Sequence, residues 1–102
     1  MKKKITYKNF VAWVNSLPKN KRFNYVEIHN CVFASFLKSL GAEHVTVGGA
    51  SYRIGYYTNN PNEQIPHKIQ LILDSTVIQR SLDKNYNLWI TRKQLTKAIY
   101  SK

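Results

Sequence analysis

The most apolar stretch of the chain runs from Phe23 to Gly41, where Val32, Phe33, Phe36, Leu37 and Leu40 recur at the three- and four-residue spacing of one helical face. Gly41 offers the left-handed position that closes many helices. Asn30 would cap a helix beginning at Cys31, or Asn24, with Glu27 three residues on, would open a longer one. Upstream, Phe10, Trp13, Val14 and Leu17 fall at i, i+3, i+4 and i+7 between a capping Thr6 and a terminating Pro18. Trp13 is the residue of this stripe expected to be most buried. After Gly41 the period shortens to two. His44 to Val47 alternate, Gly48-Gly49 break the run, and Ser51 to Thr58 resume it. Tyr52, Ile54 and Tyr56 then share one face, Arg53 and Tyr57 the other, which predicts a β-hairpin with a glycine turn.

Asn59–Pro66 reads as a loop. Between His67 and Leu82 two readings stand. A helix opened by Pro66, with Ile69, Ile72, Leu73 and Val77 inward, is favoured, yet HKIQLIL also alternates as a strand with Thr76–Ile78 as its return. Thr91 and Gln94 form a capping-box pattern, Ile90 and Leu95 a hydrophobic staple, and Leu95, Ala98 and Ile99 the inner face of a last helix. Trp89 is expected to anchor the core. These elements predict one α+β domain spanning residues 1–102, with terminal and central helices packed on a small antiparallel sheet or hairpin. Residues 1–5 read as a flexible basic tail.

Composition agrees with a folded domain: 102 residues, 43% of them hydrophobic, are enough for a core without metal or disulfide support. One cysteine cannot form an internal disulfide, so a reducing compartment, the cytoplasm, is expected. The start MKKKITYKNF resembles the charged end of a signal peptide, but Tyr7, Lys8, Asn9 and Asn15 interrupt the apolar run that would have to follow. No membrane partner is expected.

Charge changes the picture more. Residues 1–22 carry +7, residues 23–83 carry −1 and residues 84–102 carry +5, which make the +11 of the whole chain. If the two ends meet, Lys3, Lys4, Lys8, Lys19, Lys21, Arg22, Arg92, Lys93 and Lys97 form one basic face, the footprint of a polyanion binder. Arg53, on the hairpin among tyrosines, joins them as a residue able to enter a groove or lie beside unpaired bases. The helix from Asn30 to Leu40 is too apolar to read bases, with Lys38 its sole cation. RNA-recognition and zinc-finger patterns are absent from the sequence. The expected function is therefore non-enzymatic binding of DNA or RNA by backbone contact from both termini. An acidic host protein docked on the same basic face is the alternative partner.

Two other chemistries compete with that reading. His29 and Cys31 stand two apart, as zinc ligands can, but no second pair accompanies them, and no metal or cofactor is expected. Cys31 at a helix start, with His67 ahead of an apolar and possibly extended run, resembles the element order of papain-like peptidases and amidases. That resemblance implies a Cys31 nucleophile and a His67 base in a cysteine hydrolase. It lacks a glycine or serine frame around Cys31 and a third residue to orient His67. The run NCVFASFLKSLG followed by VTVGG resembles a segment of small uncharacterised accessory proteins of phages and mobile elements. That resemblance implies a host-takeover or anti-defence factor acting in the host cytoplasm, and assigns no active residues.

Overall fold

The computed structural model of the protein describes residues 2–55, 62–83 and 89–100. Helix α1 spans Tyr7–Ser16, and Thr6 caps it, its Oγ1 accepting from Asn9 N–H at 3.1 Å. Phe10 and Val14 are fully buried, whereas Trp13 is only half-buried. The wide indole lies at the flank of the stripe, where its neighbours cover one side. Residues 2–4 form a 3₁₀ turn, Ile5 is buried, and Asn9 Nδ2 donates to the Lys4 carbonyl at 2.9 Å.

Helix α2, Val32–Ser39, buries Val32, Phe33, Ala34, Phe36 and Leu37. Neither asparagine caps it. Cys31 is the cap residue and makes no side-chain cap bond, while residues 24–31 turn ahead of it. Asn24 Oδ1 accepts from Val26 N–H (3.1 Å) and the Glu27 carbonyl from Cys31 N–H (2.8 Å). The helix closes as expected: Gly41 has φ +99°, Ala42 N–H donates to Leu37 O (3.1 Å) and Gly41 N–H to Lys38 O (3.0 Å). This paired closure needs a left-handed residue, and glycine takes that conformation without steric cost.

Strands β1 (Arg22–Asn24) and β5 (Trp89–Thr91) pair antiparallel as a two-stranded ribbon. Strands β2 (Val45–Gly48), β3 (Ser51–Ile54) and β4 (Glu63–Gln64) form a second antiparallel sheet in that order. The predicted hairpin is β2–β3, turning at Gly49. Tyr56 and Tyr57, expected to extend it, lie outside the described residues. The loop expected at 59–66 is corrected in its last part. Glu63 pairs with Tyr52 and Gln64 with Ser51, and Ile65 N–H continues the ladder to Ala50 O (2.9 Å).

The helical alternative holds for 67–82, but as two helices, α3 (His67–Leu73) and α4 (Thr76–Asp83). Asp74 and Ser75 interrupt the run. Short polar side chains compete with the helical ladder, and Ser75 Oγ accepts from Ile78 N–H of the next helix at 3.5 Å. Pro66 is the cap residue of α3, not its first helical residue. Ile78 is fully buried, where Val77, the expected inward residue, is half-buried. Helix α5, Arg92–Tyr100, starts in the expected reciprocal box: Gln94 N–H donates to Thr91 Oγ1 (3.2 Å) and Thr91 N–H to Gln94 Oε1 (2.8 Å). Leu95, Ala98 and Ile99 are buried.

One chain of rings crosses the molecule. Phe36 of α2 meets Phe10 edge-on at 5.3 Å and Trp13 at 5.5 Å, and Trp13 meets Phe23 of β1 at 5.5 Å. On the other side Phe33 lies 5.9 Å from Phe36 and 5.3 Å from Tyr52 of β3. Helix α2 thus holds both sheets through its aromatic face.

Candidate nucleic-acid interface

The ribbon brings the two basic ends together. In its register Phe23 faces Ile90, and both are buried, with Phe23 3% and Ile90 0% exposed. Side chains alternate across a strand, so Arg22, Asn24, Trp89 and Thr91 turn to the outer face. Trp89 is accordingly 41% exposed, and the expected core anchor is its neighbour Ile90. The Arg22 guanidinium carbon lies 4.7 Å from the centre of the Trp89 ring, within reach of a cation–π contact. Pairing continues past the strands, with Arg92 N–H donating to Lys21 O at 2.8 Å.

Lys19, Lys21 and Arg22 therefore sit beside the β5–α5 junction that carries Arg92 and Lys93. Lys97 follows Lys93 by four residues, one helical turn along the same face, and both ammonium groups are exposed. Arg92 is a different case. Its Nε donates to Val14 O (3.2 Å), which also accepts from Leu17 N–H (3.1 Å), and its Nη2 to Asn15 O (3.1 Å). Its guanidinium thereby joins α5 to α1. Asn15 reinforces the joint, its Nδ2 donating to Tyr100 Oη at 3.0 Å.

Lys3, Lys4 and Lys8 stand at the opposite end of α1, about 15 Å from its C-terminus by helical rise over ten residues. They extend the positive field without joining the ribbon. Arg53 belongs to neither group. It lies on β3 opposite Thr46, in the other sheet, and shares a cavity of about 400 Å³ with His29, Lys38 and His44.

No protein-family model, curated protein or solved structure matches this chain. Its function has to be read from its own geometry.

The papain-like arrangement does not assemble. His67 opens helix α3 instead of a strand, and it is absent from the residues lining the cavity of about 290 Å³ that Cys31 borders. Burial pushes the Cys31 thiol up from its ordinary value, outweighing the lowering by the Ala34 and Phe33 backbone N–H groups. A helix start alone does not make a thiolate when the sulfur is dry. Among the described residues no three His, Cys, Asp or Glu side chains gather as metal ligands would. No described helix is long and apolar enough to cross a membrane.

Sequence reasoning passed over the Arg22–Trp89 pair, although the signal was there. Once Ile90 is assigned inward by the staple with Leu95, strand alternation turns Trp89 outward.

Proposed function

We propose that the protein binds single-stranded nucleic acid along the outer face of the β1–β5 ribbon, without catalysis. Lys19, Arg22, Lys93 and Lys97 meet successive phosphates, and Trp89 provides ring surface for an unpaired base. The observation that carries the reading is the Arg22–Trp89 pair, a large exposed aromatic beside a guanidinium in the most basic part of the fold. Phosphate contacts supply salt-dependent affinity, and stacking adds sequence-tolerant energy because every base has a π-face. A single strand suits this geometry better than a duplex, because the ribbon offers a flat stacking platform and no polar helix for the major groove.

The test is a salt titration with labelled single- and double-stranded DNA and RNA. Lys93→Ala should reduce the log–log salt slope for the single strand by about 0.7. Trp89→Ala should weaken binding by about 1–3 kcal/mol while leaving that slope in place. Binding that prefers duplex, or that is indifferent to both substitutions, would overturn the proposal. So would isolation of a nuclease-resistant complex with an acidic protein from a chain that ignores nucleic acid at physiological salt.

A further inference from the structure

The second sheet carries a basic cavity that the ribbon reading does not use. Its volume is about 400 Å³, and His29, Lys38, His44, Thr46 and Arg53 line it. Among the described lining residues there is no carboxylate; Glu27, whose Oε1 accepts from His29 N–H at 3.4 Å, borders the separate cavity beside Cys31. Arg53 and Thr46 are cross-strand partners, so their side chains project from the same face of the hairpin. The Arg53 Nε is buried with no hydrogen-bond acceptor. An unmet buried donor is costly in a folded protein, and the guanidinium has further N–H donors to offer an anion in the cavity its side chain lines. Lys38 reaches in from the last turn of α2, its Nζ held by Asn30 Oδ1 at 2.8 Å, with two of its three N–H donors left over. His29 is fixed by its Nδ1, which donates to Val45 O at 2.9 Å. His44 takes φ +54°, a left-handed conformation that histidine, like asparagine and aspartate, adopts more often than other non-glycine residues.

We propose that this cavity binds a terminal phosphate monoester, as carried by a mononucleotide or by the 5′-phosphorylated end of a nucleic-acid strand. A monoester carries nearly two negative charges at neutral pH and three terminal oxygens, matching a guanidinium fork and an ammonium that converge on a concave site. A chain-internal diester, with one charge and substituents on both sides, suits the open ribbon instead. The inference stands on the cavity alone and does not depend on binding along β1–β5.

The experiment is calorimetric titration of the full chain with inorganic phosphate, AMP and adenosine at constant ionic strength. A second arm compares one oligonucleotide with and without its 5′-phosphate in the Trp89→Ala protein, whose ribbon binding is weakened equally for both strands. Phosphate and AMP should bind one to one and adenosine should not. Arg53→Gln should lose at least about tenfold in AMP affinity. His44→Asn, which suits the left-handed backbone, should also weaken AMP binding while leaving thermal unfolding in place. AMP binding with no gain from the oligonucleotide's 5′-phosphate assigns the site to free nucleotides; a preference for the phosphorylated oligonucleotide assigns it to strand ends. Absence of saturable phosphate, AMP and 5′-phosphate binding at millimolar concentration, or AMP affinity unchanged in Arg53→Gln, would overturn the proposal.

Discussion

At Cys31 two local influences oppose each other. The first turn of α2 aims backbone N–H groups at the sulfur and favours thiolate, while a side chain only 8% exposed penalises any charge. Burial prevails, and the folded thiol titrates above its ordinary value of 9.0. The unfolded chain therefore releases this proton first as pH rises, and the native state binds more protons above about pH 9. Cys31 should leave stability untouched below pH 9 and subtract from it increasingly at higher pH. Urea midpoints between pH 8 and 10.5 check this: they should fall more steeply in the native sequence than in Cys31→Ala. Equal slopes would mean the sulfur is better solvated than its surroundings imply. The two tryptophans show at the same scale why residue type is a poor guide to burial. Both belong to apolar patterns, yet α1 leaves Trp13 at the flank of its stripe, and strand alternation turns Trp89 to solvent.

At the scale of elements, caps and periods were the legible part of this sequence. Thr6, Gly41 and the Thr91–Gln94 box act where their side chains or backbone freedom predict, because each satisfies orphaned groups at a helix end through local bonds alone. Pairings over distance were not legible. Nothing local states that Arg22–Asn24 is a strand, since three residues carry too little alternation and their partner lies near the other end of the chain. The same limit hid the function of Arg92, which reads as a surface cation until α1 is seen to end beneath it. Arg53 lies on the predicted hairpin, opposite Thr46, in a different sheet from the ribbon that gathers the other basic residues. Helix α2 is the element the others share, and Phe36 touches rings of α1 on one side and Phe33 on the other. Phe36→Ala should cost about 3–5 kcal/mol, measured by equilibrium urea unfolding, because surrounding rings fixed on separate elements cannot collapse into the space. A loss below about 1 kcal/mol would mean that the two sheets are not held through this residue.

At the scale of the molecule, the pairing of β1 with β5 brings Lys19, Lys21 and Arg22 beside Lys93 and Lys97, while Lys3, Lys4 and Lys8 stay at the far end of α1. The same pairing joins segments roughly 65 residues apart in sequence, and closing so long a loop has an entropic cost that local hydrogen bonds must offset. Three ladder positions and the Arg92 joint do so, with Phe23 and Ile90 sealed beneath. We predict that the ribbon opens more readily than the ring chain around α2. Amide hydrogen exchange should report this as faster exchange at the ribbon's paired amides, Arg92 N–H among them, than along α2. Uniform protection across both would show that the domain opens only as a whole. A strand of nucleic acid lying across Arg22 and Trp89 would touch both segments at once and act as a clasp. Occupancy would then be recorded in the protein's own backbone, as slowed exchange at a seam that is otherwise the quickest to part.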